Sequence, residues 1–302
     1  MFIIKNRNVF FGITAIIAAL SIASLSFFGL QFGTDFTGGT LVEIRYDGTR
    51  PAPEAIMQNL DNAGFEGFSV RETGENGYII RASQLSDDQR GSLSATLSHQ
   101  GGTAEVVRLT EIGPTIGTEL RNKAFIALGL VLLCILFFIA FAFRKVSEPI
   151  SSWIYGLIAL ITLGFDVLIP VGFFAFLGNF TGASVDTLFV TAVLTILGYS
   201  VHDTIVVFDR TRENLRLNHE HNRREDFEHT AGRALGQTIT RSINTSMTTL
   251  VALAALYLIG PESTQDFALT LLVGIIAGTY SSIFFATPLL VAYEKWRKNR
   301  KK

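Results

Sequence analysis

Six long apolar runs constrain this chain more than anything else in it: Val9–Leu30, Ala124–Phe143, Ile150–Leu177, Thr187–Phe208, Ser242–Gly260 and Phe267–Tyr293. Each reaches, to within a residue, the roughly 20 residues that a helix needs to cross about 30 Å of hydrocarbon. Helices are required because lipid offers no hydrogen-bond partner to an unpaired backbone. A soluble domain carries about a quarter charged residues; here the share is 17% of 302. No compact core hides so many uninterrupted apolar runs, so a water-soluble globular enzyme is excluded. The chain reads as an α-helical membrane protein with six transmembrane helices. Pro170 and Pro288, inside the third and sixth runs, predict kinks whose freed carbonyls neighbouring helices cover. Cys134 is the lone cysteine and lies in an apolar run, which rules out an intramolecular disulfide and a cysteine metal cluster.

Lys5 and Arg7 before the first run imitate the basic leader of a signal peptide. The run is longer than the 7–15 residues usual for such a leader, and no small-residue cleavage site follows, so it reads as a retained helix. Orientation follows from basic residues. With the N-terminus inside, the inner segments hold Lys5, Arg7, Arg144, Lys145, six arginines between Arg210 and Arg233, and six basic residues in Glu294–Lys302. The short loops Gly178–Asp186 and Pro261–Asp266 on the other side hold none. Both termini are therefore expected in the cytoplasm.

The segment Gln31–Lys123 then lies outside, and between Gln31 and Arg121 thirteen acidic residues face seven basic ones. Its pattern predicts strands at 40–46, 67–72, 78–82 and 103–110, and helices at 53–62 and 86–98. Pro53 suits a first helical turn and Gly64 an exit. Ser86 with Gln89 makes a capping box, and Asn76-Gly77 is a hairpin signal. The order βαββαβ is that of a ferredoxin-like α+β domain. The expected divisions are 1–30 (N-terminus and first helix), 31–123 (outer domain), 124–208 (helices two to four), 209–241 (cytoplasmic link), 242–293 (helices five and six) and 294–302 (basic tail). Within the link, Phe227, Ala231, Leu235 and Ile239 recur every four residues, which predicts a short amphipathic helix along the inner interface.

Ionisable groups inside hydrocarbon cost about 2.5–3.5 kcal/mol each, so each needs a reason. Asp166, His202 and Asp203 lie well inside the runs, and Arg241 sits at the mouth of the fifth. Thr187, Thr191, Thr195, Tyr199 and Asp203 recur every four residues, one polar stripe directed at other helices. The fifth run answers with Thr238, Arg241, Thr245 and Thr248 or Thr249. Antiparallel packing brings Asp203 and Arg241 to similar depth, and an ion pair is expected. Such a pair either exchanges a proton or fixes helix register as a static bridge. His202 points about 100° away from Asp203 and reads as a packed or interfacial histidine rather than a relay. Asp166, mid-way along the third run, fits a proton relay and a buried hydrogen bond to a threonine equally well. Asp186 and Asp209 read as caps or interfacial charges. There is no nucleotide loop, no His-Glu-x-x-His, no Gly-x-Ser-x-Gly and no metal-ligand spacing, so neither cofactor nor enzyme activity is expected.

Several motifs resemble those of a known family. Gly33-Thr-Asp-Phe-Thr-Gly-Gly-Thr40 after the first run is similar to the Gly-x-Asp-Phe-x-Gly-Gly signature of SecD and SecF proteins. Ile112-Gly-Pro-Thr-Ile-Gly-Thr-Glu-Leu120 resembles their Val-Gly-Pro element, here Gly113 and Pro114. Gly198-Tyr-Ser-Val-His-Asp-Thr-Ile-Val-Val-Phe-Asp-Arg-Thr-Arg-Glu-Asn214 resembles the fourth-helix motif of SecF, and Arg241-Ser-Ile-Asn-Thr-Ser-Met-Thr-Thr249 the start of its fifth helix. The resemblance covers essentially the whole chain. It implies a proton-driven subunit of a SecDF complex, within the resistance–nodulation–division superfamily, in the bacterial cytoplasmic (inner) membrane. It also implies as partners a SecD-like six-helix subunit, the SecYEG translocon, exported unfolded polypeptides, and YajC- and YidC-like membrane proteins, with no nucleic acid. The proton-pathway residues it implies fall on Asp203 and Arg241; Asp166, His202, Tyr199 and Thr245 are candidate auxiliaries by their position beside that pair, and no relay role is carried over to the third helix. Two departures stand out: His202 replaces the usual asparagine, and Phe165 replaces the histidine that usually precedes the third-helix aspartate. For Asp35, Gly38 and Gly39 a structural role is expected, the glycines permitting positive φ or close approach and Asp35 capping the turn. The rival readings are a half-size small-molecule transporter of the same superfamily and a structural factor bracing a translocon.

Overall fold

The computed structural model describes residues 2–65, 67–98, 103–144 and 149–300. Lys145, Lys301 and Lys302 of the expected inner basic set lie outside the described residues. Along the chain, α1 (Phe2–Lys5) and α2 (Arg7–Phe28) lead to a single turn, α3 (Thr34–Thr37). Then come β1 (Gly39–Tyr46), α4 (Pro53–Asn62), β2 (Ser69–Thr73), β3 (Gly77–Ala82), α5 (Asp87–Leu97) and β4 (Ala104–Ile112). The remainder is helical: α6 (Pro114–Ala142), α7 (Ser152–Thr181), α8 (Thr187–Glu220), α9 (Phe227–Ile259) and α10 (Gln265–Ser281). A π-helical turn at Ser282–Ala286 carries α10 into α11 (Thr287–Arg300). Six stretches among the described residues are long and apolar enough to span a membrane: α2, α6, α7, α8, α9 and the joined α10–α11.

Two compact units emerge. One comprises Phe28–Ile126 with Phe174–Val190, the other Met1–Phe27, Ala127–Phe173 and Thr191–Lys302. The first holds a four-stranded sheet in the order β2-β3-β1-β4, antiparallel at every pairing. Alternation along β1 turns Val42, Ile44 and Tyr46 inward, each 1% exposed. They join Tyr78 and Ile80 of β3, Ile56 and Leu60 of α4, and Leu93 and Leu97 of α5 in one core. Burying each such side chain contributes about 1.5–3 kcal/mol. The predicted cap is formed, with Ser86 Oγ accepting from Gln89 N at 3.2 Å and Gln89 Oε1 accepting from Ser86 N at 3.0 Å. Boundaries shift where backbone geometry decides. Strand β2 begins at Ser69 rather than at 67, because Gly67 takes φ +61 and leaves the extended region. Strand β4 runs on to Ile112, which pairs with Gly39.

In the helical unit the apolar runs understate the helices. Pro114 opens α6 ten residues ahead of the predicted start, since a first-turn proline needs no N–H. The amphipathic segment and the fifth run are one unbroken helix, α9, rather than a link and a span. Its four-residue stripe packs on protein, not along an interface: Phe227, Ala231 and Leu235 are buried, and Leu235 clusters with Val207 and Ile283. The π-helical turn lies just ahead of Pro288. A proline lacks the N–H that would bond the fourth carbonyl back, and a locally widened turn accommodates the gap. Helix α7 runs through Pro170 without interruption. At the end of this unit that holds α1, Phe143 stacks on Tyr155 at 5.3 Å and Tyr155 meets Phe208 edge-on at 5.2 Å. Glu228 there pairs with Arg7 at 3.5 Å and with Lys295.

Candidate functional site

The site is a seam of polar side chains along α8, met by α7, α9 and α10. Asp203 of α8 is 5% exposed and faces Ser242 of α9, which is 1% exposed. Neither Asp203 Oδ2 nor Ser242 Oγ completes a hydrogen bond. A buried acceptor left without a donor costs about 1–3 kcal/mol, a cost that an apolar side chain at this position would avoid.

The expected Asp203–Arg241 ion pair is not formed. Asp203 is buried, whereas the Arg241 guanidinium lies on an exposed face. The reason lies in helix geometry, since successive residues point about 100° apart. Helix α9 aims Ser242 at Asp203, which turns Arg241 onto an exposed face together with Thr245 and Thr248. Thr245 accordingly bonds back to its own helix, donating to Arg241 O and Ser242 O at 3.0 Å each. His202 is exposed beside Asp203.

One turn before Asp203, Tyr199 does face α9. Its hydroxyl lies 3.5 Å from Ser246 Oγ and 3.4 Å from Thr249 Oγ1, and Thr279 Oγ1 of α10 donates to Ser246 Oγ at 2.6 Å. Against a neighbouring face of α8, the one that carries Ser200, Asp166 of α7 is fully buried. Ser200 Oγ donates to its Oδ2, Ser281 lies alongside, and Oδ1 has no donor. The partner is thus a serine of α8, not a threonine. Close approach of α10 permits this layer: a Cβ on Gly278 would fall 2.9 Å from Ser200 Cβ, and one on Gly274 would overlap Ile196. That Gly274-x-x-x-Gly278 spacing is a packing signal of membrane helices, and it went unread in the sequence, as did Ser200, Ser242, Ser246 and Ser281. The i, i+4 pair Ser242 and Ser246 was the available clue to the inner face of α9. Among the described residues no group of His, Cys, Asp and Glu converges as metal ligands.

The glycine signature behaves as expected at its glycines. Gly38 and Gly39 take φ 77 and 120, and a Cβ on Gly38 would sit 2.7 Å from Pro114 Cα. Asp35 does not cap its own turn, whose N-cap is Gly33 with no side-chain bond. Its carboxylate reaches Thr187 at the start of α8.

Comparison with known proteins fits this layout. The profile described as protein export membrane protein SecD/SecF, C-terminal, matches residues 92–296, and the SecD/SecF GG motif matches residues 23–49. The chain belongs to the SecD/SecF family of protein-export membrane proteins. Curated relatives include the protein translocase subunit SecF of Thermobaculum terrenum, 40% identical over 97% of this chain and 93% of that one. The SecF of Anaerolinea thermophila is 37% identical over 98% and 95%. Among solved structures, SecDF of Thermus thermophilus, described as translocon-associated, superposes with TM-score 0.85 at 31% identity over 97% of this chain. A super-membrane-facing form of SecDF gives 0.67 at 32% identity. This chain spans 38% of each of those longer chains. As a SecF-type translocase subunit, the protein serves protein export.

Proposed function

We propose that this SecF-type chain is the half of a twelve-helix export unit in which Asp203 takes up and releases a proton and Arg241 is the cation that changes partner as it does so. The carrying observation is a buried carboxylate oxygen with no donor together with an exposed guanidinium one residue before the serine that faces it. An ionised Asp203 attracts Arg241, and a modest rotation of α9 or a rotamer change brings them together. A neutral Asp203 leaves the seam as it stands here. A charge crossing the membrane potential is worth about 2.3 kcal/mol per 100 mV, enough to bias such a shift.

Thr191 and Thr195 on α8, with Arg241, Thr245 and Thr248 on α9, are polar yet exposed within spanning helices. A SecD-like six-helix subunit covers them, an arrangement of two halves about an axis along the membrane normal. The basic-residue bias supports an inner-membrane protein with both termini cytoplasmic. The antiparallel order β2-β3-β1-β4, with helices after β1 and β3, supports a ferredoxin-like domain on the outer side. There it meets unfolded polypeptide leaving the translocon.

Inverted-potential vesicles holding the assembled complex test the reading. Asp203→Asn and Arg241→Met each abolish the proton-driven part of export; wild-type export in both rules the mechanism out.

A further inference from the structure

The glycine signature does more than turn the chain from α2 into β1. Asp35 sits in the first turn of α3, and its Oδ2 accepts from Thr187 N at 3.0 Å and from Thr187 Oγ1. Thr187 is the first residue of α8. A second carboxylate serves the same turn, since Asp186 Oδ1 accepts from Phe189 N at 2.8 Å. Beside these side chains the backbones are bonded directly. Gly33 N donates to Val185 O at 2.8 Å and Val185 N to Gln31 O at 2.7 Å, a parallel bridge between Phe32 and Val185.

Glycines make the approach possible. A Cβ at Gly33 would lie 3.0 Å from Ser184 Oγ and 3.2 Å from Val185 O. On the far side of α3, a Cβ at Gly117 in α6 would fall 2.8 Å from Gly38 N. The residues between α2 and β1 therefore grip the start of α8 with one face and the first turn of α6 with the other. Helix α8 then runs unbroken from Thr187 through Asp203.

We propose that Asp35 is a positioning residue: it caps α8 from outside that helix, so that displacement of the helix bearing Asp203 is handed to the root of β1 through this clasp. What drives the helix rests on the reading of Asp203 given above, but the clasp itself does not. The chemistry required is that of an N-cap acceptor, for which asparagine substitutes well and alanine does not.

The test uses the full chain, assembled with its partner in vesicles, as wild type, Asp35→Ala and Asp35→Asn. Hydrogen exchange of the peptide 183–190 and proton-driven export are measured on each, with the β1 peptide 40–46 as internal standard. In Asp35→Ala, exchange at 183–190 rises about fivefold, the factor that loss of a typical cap brings. The 40–46 peptide is unchanged and most proton-driven export is lost. Asp35→Asn restores both readouts. An asparagine variant as impaired in export as the alanine variant overturns the proposal, because charge rather than capping is then what matters. Wild-type exchange or wild-type export in Asp35→Ala overturns it too. If Asp35→Ala fails to assemble, the asparagine variant alone decides. Should Asp203→Asn keep its export, the proton reading falls while the exchange result still judges the clasp.

Discussion

The sheet-bearing unit closes its core on itself, whereas the helical unit leaves two carboxyl groups unfinished inside its own. In the sheet unit the buried tyrosines are provided for: Tyr46 OH donates to Leu97 O at 3.0 Å and Tyr78 OH to Pro51 O. Its carboxylates lie at or near the surface; the half-buried Glu111 pairs with Arg90 through Oε2 at 3.2 Å, although its Oε1 has no donor. In the helical unit Asp166 and Asp203 are buried, and each keeps an oxygen without a donor. A fold that needed only stability would fill those sites with apolar side chains, since burying incompletely paired polar groups is costly. The sheet core is filled with apolar side chains, and the seam beside α8 is where the proposed change of partner would take place.

That contrast can be broken from either side. The largest stability effect belongs to the sheet core. Ile44→Ala removes a buried branched side chain from β1 and lowers the stability of the sheet by about 2–5 kcal/mol. Hydrogen exchange on the full chain detects it in the peptides of β1 and β3, while those of α8 and α9 keep wild-type protection. Loss of protection in both sets would show that the two units do not fold independently.

A smaller effect is expected where α10 touches α8. Gly278→Ala places a methyl against Ser200 and displaces the hydroxyl that donates to Asp166. Overpacking of this kind costs about 1–3 kcal/mol, read as a lower melting temperature of the solubilised protein. An unchanged melting temperature would mean that α10 is held off α8. Smaller again is the cap of α5: Ser86→Ala costs the sheet unit about 1 kcal/mol.

The mildest test uses pH. Burial, and then the neighbouring Tyr78, pushes the Tyr46 hydroxyl up to about 12 from its ordinary 10.0. An acid whose folded-state pKa is raised gives stability that is complete below the unfolded value and shrinks as pH climbs through the folded one. The sheet unit therefore holds its full stability below pH 10.0 and loses part of it between there and about 12. Tyr46→Phe flattens that loss, measured as the alkaline limb of its exchange protection.

Much of this architecture was legible in the residues because the relevant signals are local. Apolar length marked the spans, alternation in Thr40–Tyr46 marked β1, and Ser86 with Gln89 marked the start of α5. The stripe through Tyr199 and Asp203 lies on α8, the helix along which the polar side chains line up. What escaped depends on how helices rotate against one another. Spacing alone put Arg241 opposite Asp203, and a turn of about 100° put Ser242 there instead. The fate of Asp35 was equally hidden, since its partner Thr187 lies far along the chain and nothing near Asp35 announces it. The serines at 200, 242, 246 and 281 escaped because a hydroxyl in an apolar run carries no charge to draw the eye.

Difference infrared spectroscopy of the reconstituted protein, stepped from mildly acidic to alkaline pH, addresses Asp203 most directly. A carboxyl stretching band that changes with pH in the wild type and vanishes in Asp203→Asn is the expected result. A spectrum in which Asp203→Asn and the wild type titrate alike across that range would leave the membrane half without a proton to exchange.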